Sequence, residues 1–181
     1  MHVELKVLNK EFYRAKNGIE NNSSKSLCYG NLPSYATPGG AALDLVCCED
    51  VSIYPGEVKA IHTGLAIWIG ATKVLAGMTK CSFAGIISPR SGLGTKGLIL
   101  ANTIGVIDED YQGELIVQAL NDTAARKDAF GCGVREIITI EAGDRFAQLL
   151  FLPVVKVQWN VVNEFSNKTD RSTGSFGSTG V

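Results

Sequence analysis

Three carboxylates and one aromatic ring stand between Gly105 and Gly113, in the stretch G-V-I-D-E-D-Y-Q-G. A carboxylate held at a stiff turn can accept a proton from a water molecule, which is general-base chemistry. The three acids are Asp108, Glu109 and Asp110, and Tyr111 is a flat ring that a stiff turn could hold in a fixed position beside a carboxylate. A solvated acidic turn is the ordinary fate of such a cluster. The assignment therefore depends on what the rest of the chain supplies.

A first candidate anion site lies in Ser88–Gly97, S-P-R-S-G-L-G-T-K-G. Arg90 offers a guanidinium fork, Ser91 offers a hydroxyl, and Gly92 allows a backbone amide to approach an anion. The literal G-x-G-x-x-G is no dinucleotide fingerprint, because the following Leu98–Leu100 continues as a strand where that motif needs a helix. The Walker A spacing is absent as well. By itself this stretch is most simply an ordinary glycine-rich connection.

The C-terminal residues are a second anion candidate. They combine one guanidinium, one ring, free amides and hydroxyls, in Arg171, Phe176, Gly177, Ser178 and Thr179. A segment this rich in glycine cannot pack a core, so disorder is the alternative. An aromatic residue among small ones is also what a lid over a stacked base would need.

Two polar residues stand inside apolar runs. Asp44 lies in A-A-L-D-L, where a carboxylate is costly unless it is paired or close to a metal. Gln148 lies in G-D-R-F-A-Q, where its amide could reach a ligand. A core glutamine with satisfied hydrogen bonds is an equally ordinary interpretation.

Composition narrows the class of protein. The 181 residues suit one domain, and a net charge of −1 gives no field that would attract nucleic acid or an acidic membrane. No run reaches the roughly 18 apolar residues of a membrane span, and the N-terminus lacks a signal-peptide core. Five cysteines without C-x-x-C indicate reduced thiols in the cytoplasm, and two histidines leave little material for a zinc site. An apolar fraction of 45% is consistent with surface buried between copies of the chain.

Short β-type runs and 20 glycines predict the elements that must position these residues. The expected fold is all-β, a distorted jelly roll or barrel-like sandwich with little helix. The acidic turn is expected to join Leu98–Ala101 to Leu115–Val117 as a hairpin. Residues 1–165 are expected to form the β domain, and residues 166–181 a flexible tail. The other predicted strands are Val3–Val7, Ala41–Val46, Val51–Tyr54, Val58–Ile61, Leu65–Ile69, Ala84–Ser88, Glu136–Glu141 and Phe146–Trp159, the last with Pro153 at an edge or a break.

Taken together and in order, five stretches resemble the trimeric deoxyuridine triphosphate nucleotidohydrolases (dUTPases). They are A-A-L-D-L, P-R-S-G-L-G, G-V-I-D-E-D-Y-Q-G, G-D-R-F-A-Q and R-S-T-G-S-F-G-S-T-G. The resemblance runs from about Ala41 to the C-terminus, and the second and third stretches are the most specific. It implies hydrolysis of dUTP to dUMP and pyrophosphate, which keeps uracil out of DNA and supplies dUMP for thymidylate synthesis.

The resemblance also implies roles for the site residues. Asp108 would activate the water that attacks the α-phosphate, and Tyr111 would exclude a ribose 2′-hydroxyl. Asp44 would act indirectly, through a metal-bound water or by organising the site, while Mg²⁺ binds the substrate phosphates. The base and sugar would contact Asn102, Gly105, Val106, Ile107, Tyr111, Ile116 and Phe176. The phosphates would contact Arg90, Ser91, Gly92, Gln148, Arg171, Gly177, Ser178 and Thr179. Family members are homotrimers with active sites shared between the chains.

Two alternatives have different consequences. A dCTP deaminase shares the fold, but the position of its catalytic glutamate is Gln118 here, and a neutral amide cannot shuttle protons in the same way. A non-catalytic trimeric binding or regulatory protein could dock partners on three segments that look longer than in compact family members, near 18–32, 72–83 and 124–135. Ser172 and Ser175 in the last motif, and Ala42 in the first, depart from the usual glycines.

Overall fold

The computed structural model describes residues 2–14, 31–70, 82–125, 131 and 135–169. Most of the regular secondary structure in these residues is strand, and the all-β prediction is confirmed. The strands are β1 (Glu4–Val7), β2 (Leu43–Val46), β3 (Val51–Ile53), β4 (Val58–Trp68), β5 (Ser82–Pro89), β6 (Leu98–Leu100), β7 (Gly105–Ile107), β8 (Glu114–Asn121), β9 (Ile138–Ile140) and β10 (Arg145–Val154). The helical pieces are α1 (Lys10–Tyr13), α2 (Ser91–Thr95) and a 3-10 turn, Asp122–Ala125.

Two four-stranded sheets and one ribbon organise the described residues. One sheet has the order β1-β4-β8-β6, the other has the order β2-β10-β5-β7, and β3 pairs with β9. All of these pairings are antiparallel. Apolar residues from both sheets, among them Ile61, Leu115, Ile87 and Phe146, form one buried cluster. The molecule is therefore an antiparallel sandwich of the jelly-roll type that the strand pattern predicted.

Strand β4 is longer than the sequence suggested. Val58–Ile61 and Leu65–Ile69 were expected to be separate strands, but Val58–Trp68 is continuous. The ladder with β8 shifts register between His62 and Ala66, where Gly64 has a φ of +67°. The prediction of two strands was wrong because this irregularity is bridged by groups distant in the chain, including the Leu115 carbonyl that accepts from Thr63 Oγ1 at 2.7 Å.

The acidic turn does not close a simple hairpin. Strands β6 and β8 do pair, but β6 lies opposite Ala119–Asn121 and not opposite the expected Leu115–Val117. The residues between them, however, leave the first sheet, and β7 pairs with β5 in the second. The chain therefore crosses from one sheet to the other and back before β8 begins. This crossing opens a gap between β7 and β8.

Two further elements bear on the site. Ser91–Thr95 forms the short helix α2, where the sequence predicted only a glycine-rich connection, and the strand predicted after it is confirmed as β6. Pro153 lies opposite Phe83 of β5, beyond the part of β10 that pairs with β2, so it occupies the predicted edge position. In the described part of the chain, each helix is too short to cross a bilayer.

Candidate active site

A cavity of about 180 Å³ lies where β7 and β8 separate. Strand β7 is the edge of its sheet in the described residues, and it pairs with β5 from Gly105 to Ile107. Strand β8 pairs with β6 from Ala119 onward, so Ile116 lies beyond the end of β6. The cavity is lined by Ile87, Leu100, Asn102, Gly105, Val106, Ile107, Ile116, Val117 and Gln118.

This gap is suited to a planar ligand that can form hydrogen bonds along its edge. Backbone N–H and C=O groups on a strand edge can pair with the N–H and C=O groups of a ligand as they would with another strand. The structure brings together five of the residues predicted to contact the base: Asn102, Gly105, Val106, Ile107 and Ile116. Gln118 also lies in this cavity, so the proton-shuttling position of a deaminase is an amide here.

Asp108 is the first residue after β7 and is exposed. It lines a second cavity of about 340 Å³ together with Glu109, Asp110 and Lys156. The Lys156 ammonium is hydrogen-bonded and ion-paired to Glu109, which lowers the pKa of that carboxyl and raises the pKa of Lys156. Of the three neighbouring acids, Glu109 is thus held in an ion pair, whereas Asp108 is open to a water molecule and a substrate.

The position of Tyr111 is defined by the residues that follow it. Its hydroxyl donates to the Glu114 carbonyl at 2.9 Å, and its backbone N–H donates to the Asp108 carbonyl at 3.2 Å. The ring passes so close to Gly113 that a β-carbon there would come within 2.6 Å of Tyr111 Cζ. Tyr111 remains 42% exposed, so part of its side chain is accessible to a ligand.

The predicted anion-binding residues meet at the other end of β5. Asp44 Oδ1 is 2.9 Å from Arg90 Nε, and Asp44 Oδ2 is 3.1 Å from Arg145 Nη1. Gln148 lies directly opposite Asp44 in the ladder of β2 and β10, and its Nε2 donates to the Pro89 carbonyl at 3.2 Å. Asp44, Arg90 and Gln148 therefore lie together at this end of the sheet. Ser91 and Gly92 follow immediately, at the exposed start of α2.

Arg145 joins this group of side chains, although the sequence interpretation did not select it. It stands within G-D-R-F-A-Q, but its partner Asp44 is 101 residues away, so no local pattern pairs the two. Its backbone carbonyl also accepts from Arg90 Nη1 at 3.2 Å. The available signal was a charged residue at the start of an apolar strand, next to a glycine turn. Asp44 thus orients two guanidinium groups at once.

The two groups of residues are separated along β5. Ile107 pairs with Gly85, which places Asp108 opposite Ala84, whereas Arg90 follows the end of the strand. Six residues of strand span about 20 Å. Asp108 and Arg90 of one chain are therefore too far apart to contact the same phosphate group.

Several predicted residues lie outside the described part of the chain. They are the tail residues Arg171, Phe176, Gly177, Ser178 and Thr179, and most of the three longer segments. Among the described residues, no group of three or more His, Cys, Asp or Glu side chains is arranged to hold a metal ion. Both oxygens of Asp44 are engaged by arginines, so this carboxylate serves the guanidinium groups in this conformation.

Comparisons with known proteins agree on one family. The dUTPase family model matches residues 29–180. The chain is 43% identical over 184 residues to the deoxyuridine 5′-triphosphate nucleotidohydrolase of Francisella tularensis subsp. holarctica, and 42% identical to that of Francisella philomiragia, with the whole of both chains covered in each case.

Solved structures give the same result. A dUTPase of Staphylococcus bacteriophage 80alpha, a point mutant with dUpNHpp, has a TM-score of 0.69 and 25% identity over 99% of each chain. A mutant dUTPase from phage phi11 of S. aureus, described with a structural Mg(II) ion, has a TM-score of 0.64 and 22% identity. It covers 92% of this chain and 100% of its own, and it supports the fold alone.

Proposed function

This chain is a member of the dUTPase family and a dUTP nucleotidohydrolase, and we propose how its residues divide the substrate between them. The observation that carries the proposal is the gap between β7 and β8, with Asp108 directly after β7. The uracil enters this gap. The triphosphate extends past Asp108 toward the cluster formed by Asp44, Arg90 and Arg145 of another chain.

Uracil is recognised through backbone groups. It has a C=O, N–H, C=O edge that can pair with the N–H and C=O groups of β7 and of β8 near Ile116. Asn102 contributes a side-chain amide from the same cavity. Tyr111 packs under the deoxyribose, where its ring leaves no room for a 2′-hydroxyl.

Asp108 acts as the general base. Its carboxylate accepts a proton from a water molecule whose oxygen attacks the α-phosphorus. The bond from that phosphorus to the oxygen bridging to the β-phosphate breaks, and pyrophosphate leaves with the electron pair. The products are dUMP and pyrophosphate. An exposed carboxylate that a water molecule can reach suits this role. General-base catalysis contributes about 10²–10⁴-fold.

Charge neutralisation on the phosphates is the second requirement. Arg90 and Arg145 supply guanidinium groups, Gln148 supplies an amide, and Ser91 and Gly92 supply groups at the start of α2. Asp44 holds the two arginines in place. We infer that Mg²⁺ arrives on the triphosphate oxygens, where it would neutralise charge that the described residues do not. Residues 166–181, with Arg171, Phe176 and Gly177–Thr179, are proposed to close over the bound nucleotide.

We propose a homotrimer with shared active sites. Asp108 lies beside Ala84 of β5 and Arg90 follows the end of that strand, about 20 Å away, so the base of one chain must work with the arginines of another. The residues after β10 support an assembly, because Val155, Val157 and Trp159 are 66–88% exposed and alternate with polar residues. An extended arm with one apolar face needs a partner surface. Light scattering on the purified protein tests this, and an active monomer would contradict it.

We also propose that the protein works in the cytoplasm, as its cysteine pattern predicts. Cys47 and Cys48 are free thiols in the structure, as expected of a protein in a reducing cytoplasm.

A substrate panel tests the reaction. Pyrophosphate release is measured with dUTP, dCTP, TTP and UTP, with and without Mg²⁺, and dUTP with Mg²⁺ is expected to be strongly preferred. Asp108→Asn should lower kcat about 10³-fold and leave dUTP affinity within about threefold, whereas Asp110→Asn should change kcat little. Equal losses of kcat and affinity in Asp108→Asn would contradict the base assignment. Ammonia released from dCTP would indicate the deaminase instead.

A further inference from the structure

The irregularity in β4 is held by a carboxylate from the start of β8. Strand β4 takes four steps, from His62 to Ala66, opposite the two steps from Ile116 back to Glu114 on β8. Gly64 lies in this bulge with a φ of +67°, and a β-carbon there would come 2.7 Å from Asn9 Cβ. The bulge therefore admits only glycine at that position.

The Glu114 side chain bonds two groups of the bulge. Its Oε1 accepts from the Gly64 backbone N–H at 2.8 Å, and its Oε2 lies 3.0 Å from His62 Nδ1. The Glu114 side chain is 23% exposed. Hydrogen bonds to an ionised carboxylate are among the stronger ones, particularly where water has limited access. Glu114 is thus fixed against β4 at the point where β8 begins.

The main chain of Glu114 contacts a residue of the proposed sugar site, Tyr111. Its carbonyl accepts the Tyr111 hydroxyl at 2.9 Å. We propose that Glu114 is a positioning residue for sugar selectivity, with His62 as its support: the β4 bulge anchors Glu114, and Glu114 in turn holds the Tyr111 ring. This inference rests on the proposed role of Tyr111 in excluding a 2′-hydroxyl.

The physical reason is that steric exclusion depends on where a ring is held. Because Tyr111 is partly exposed, packing alone does not fix its ring. The hydrogen bond from its hydroxyl to the Glu114 carbonyl and the contact with Gly113 limit the motion of the ring. A displacement of about 1 Å can change a rate by about 10²-fold. The bulge has other supports, including Gly64 O, which accepts from the backbone N–H groups of Leu8 and Asn9. Removing the carboxylate is therefore expected to loosen the start of β8 without unfolding the domain.

The test is the ratio of kcat/KM for dUTP to kcat/KM for UTP. Glu114→Ala is expected to lower this ratio about tenfold or more, mainly because UTP becomes a better substrate. Glu114→Gln, whose amide oxygen can still accept from Gly64, should keep the ratio within about threefold of wild type. Glu57→Ala is the matched control, because Glu57 also accepts a backbone N–H, that of Tyr54 at 2.8 Å, far from Tyr111 in the chain. A lowered melting temperature with an unchanged ratio in Glu114→Ala would overturn the proposal.

Two further variants keep the test decisive. If Glu114→Ala does not fold, His62→Ala removes one contact of the carboxylate and should lower the ratio about two- to fivefold; an unchanged ratio would overturn the proposal. Tyr111→Ala separates the two levels of inference. If it leaves the ratio unchanged, the proposed role of Tyr111 fails; if it abolishes selectivity while Glu114→Ala and His62→Ala do not alter it, the positioning role alone fails.

Discussion

Tyr111 packs so closely against Gly113 that a β-carbon at Gly113 would lie 2.4 Å from the tyrosine hydroxyl oxygen. Real β-carbons are not found at such distances from another heavy atom, so a side chain at Gly113 and the ring in its present place exclude each other. The second glycine of the G-V-I-D-E-D-Y-Q-G stretch is therefore required by the ring that precedes it.

Gly113→Ala should displace the Tyr111 ring and weaken discrimination against UTP. The ratio of kcat/KM for dUTP to that for UTP is expected to fall about tenfold, with kcat for dUTP reduced less. Gly39→Ala is the control, since a β-carbon at Gly39 would meet no atom within 4 Å. A Gly113→Ala enzyme that discriminates as well as wild type would show that the ring position does not set sugar selectivity.

Arg145→Ala tests the contribution of the arginine that the sequence interpretation missed. Loss of this guanidinium removes positive charge beside Arg90 and leaves Asp44 with one partner. The KM for dUTP is expected to rise about tenfold, while inhibition by dUMP, which lacks the β- and γ-phosphates, stays within about twofold. An equal weakening of dUTP and dUMP would show that Arg145 does not act on the β- and γ-phosphates.

Asn121→Ala should destabilise the domain. Its Nδ2 donates to the carbonyls of Ile53 and Glu136, both at 2.8 Å, and its Oδ1 accepts from Thr123 N and Oγ1. The side chain is fully buried, so truncation leaves unpaired groups between β8 and the β3–β9 ribbon. The expected loss is about 3 kcal/mol of unfolding free energy, against less than about 0.5 for the exposed Asn163→Ala. Urea titration measures both, and equal losses would contradict this assignment.

Stability should fall in alkaline solution because of Cys47. Burial raises the pKa of the Cys47 thiol from 9.0 to about 11. The neutral thiol is therefore favoured in the folded state, and its contribution is complete below pH 9 and is lost as the pH rises toward 11. Because one group titrates, the unfolding free energy should fall by at most ~1.4 kcal/mol per pH unit.

Cys47→Ser is the comparison for this effect. Cys47 Sγ donates to the Glu49 carbonyl at 2.8 Å, and a serine hydroxyl can donate to the same carbonyl. Serine does not ionise in this pH range. The unfolding free energy of Cys47→Ser should decline less steeply between pH 9 and 11. Identical slopes for the two proteins would show that Cys47 stays protonated, or is equally exposed, in both states.

The strands could be predicted because each one depends on the pattern of neighbouring residues in the sequence. The alternation of Val3–Val7 and of Glu136–Glu141 indicates half-buried strands by itself, and β1 and β9 fall within those ranges. The continuity of β4 could not be predicted. Its bulge is bridged by Glu114, about 50 residues away, and by Tyr13, whose hydroxyl donates to the Thr63 carbonyl.

In the site, too, residues in local motifs could be predicted, whereas contacts between distant parts of the chain could not. Asp108 and Arg90 could be chosen from the sequence because they stand in the two most specific motifs. Arg145 could not, because its partner is distant in the chain. The separation of Asp108 from Arg90 was also invisible in the sequence, since it depends on the pairing of β7 with β5.

That separation gives the most direct test of the shared site. Asp108→Asn and Arg90→Ala chains, each inactive alone, are co-expressed with different tags and the mixed assemblies are purified. Each mixed trimer then contains one site with an intact Asp108 and an intact Arg90 from different chains, so the mixed assemblies should recover about a third of wild-type kcat. If mixed assemblies form and remain as inactive as the single variants, Asp108 and Arg90 of different chains do not meet at one substrate, and the account is wrong.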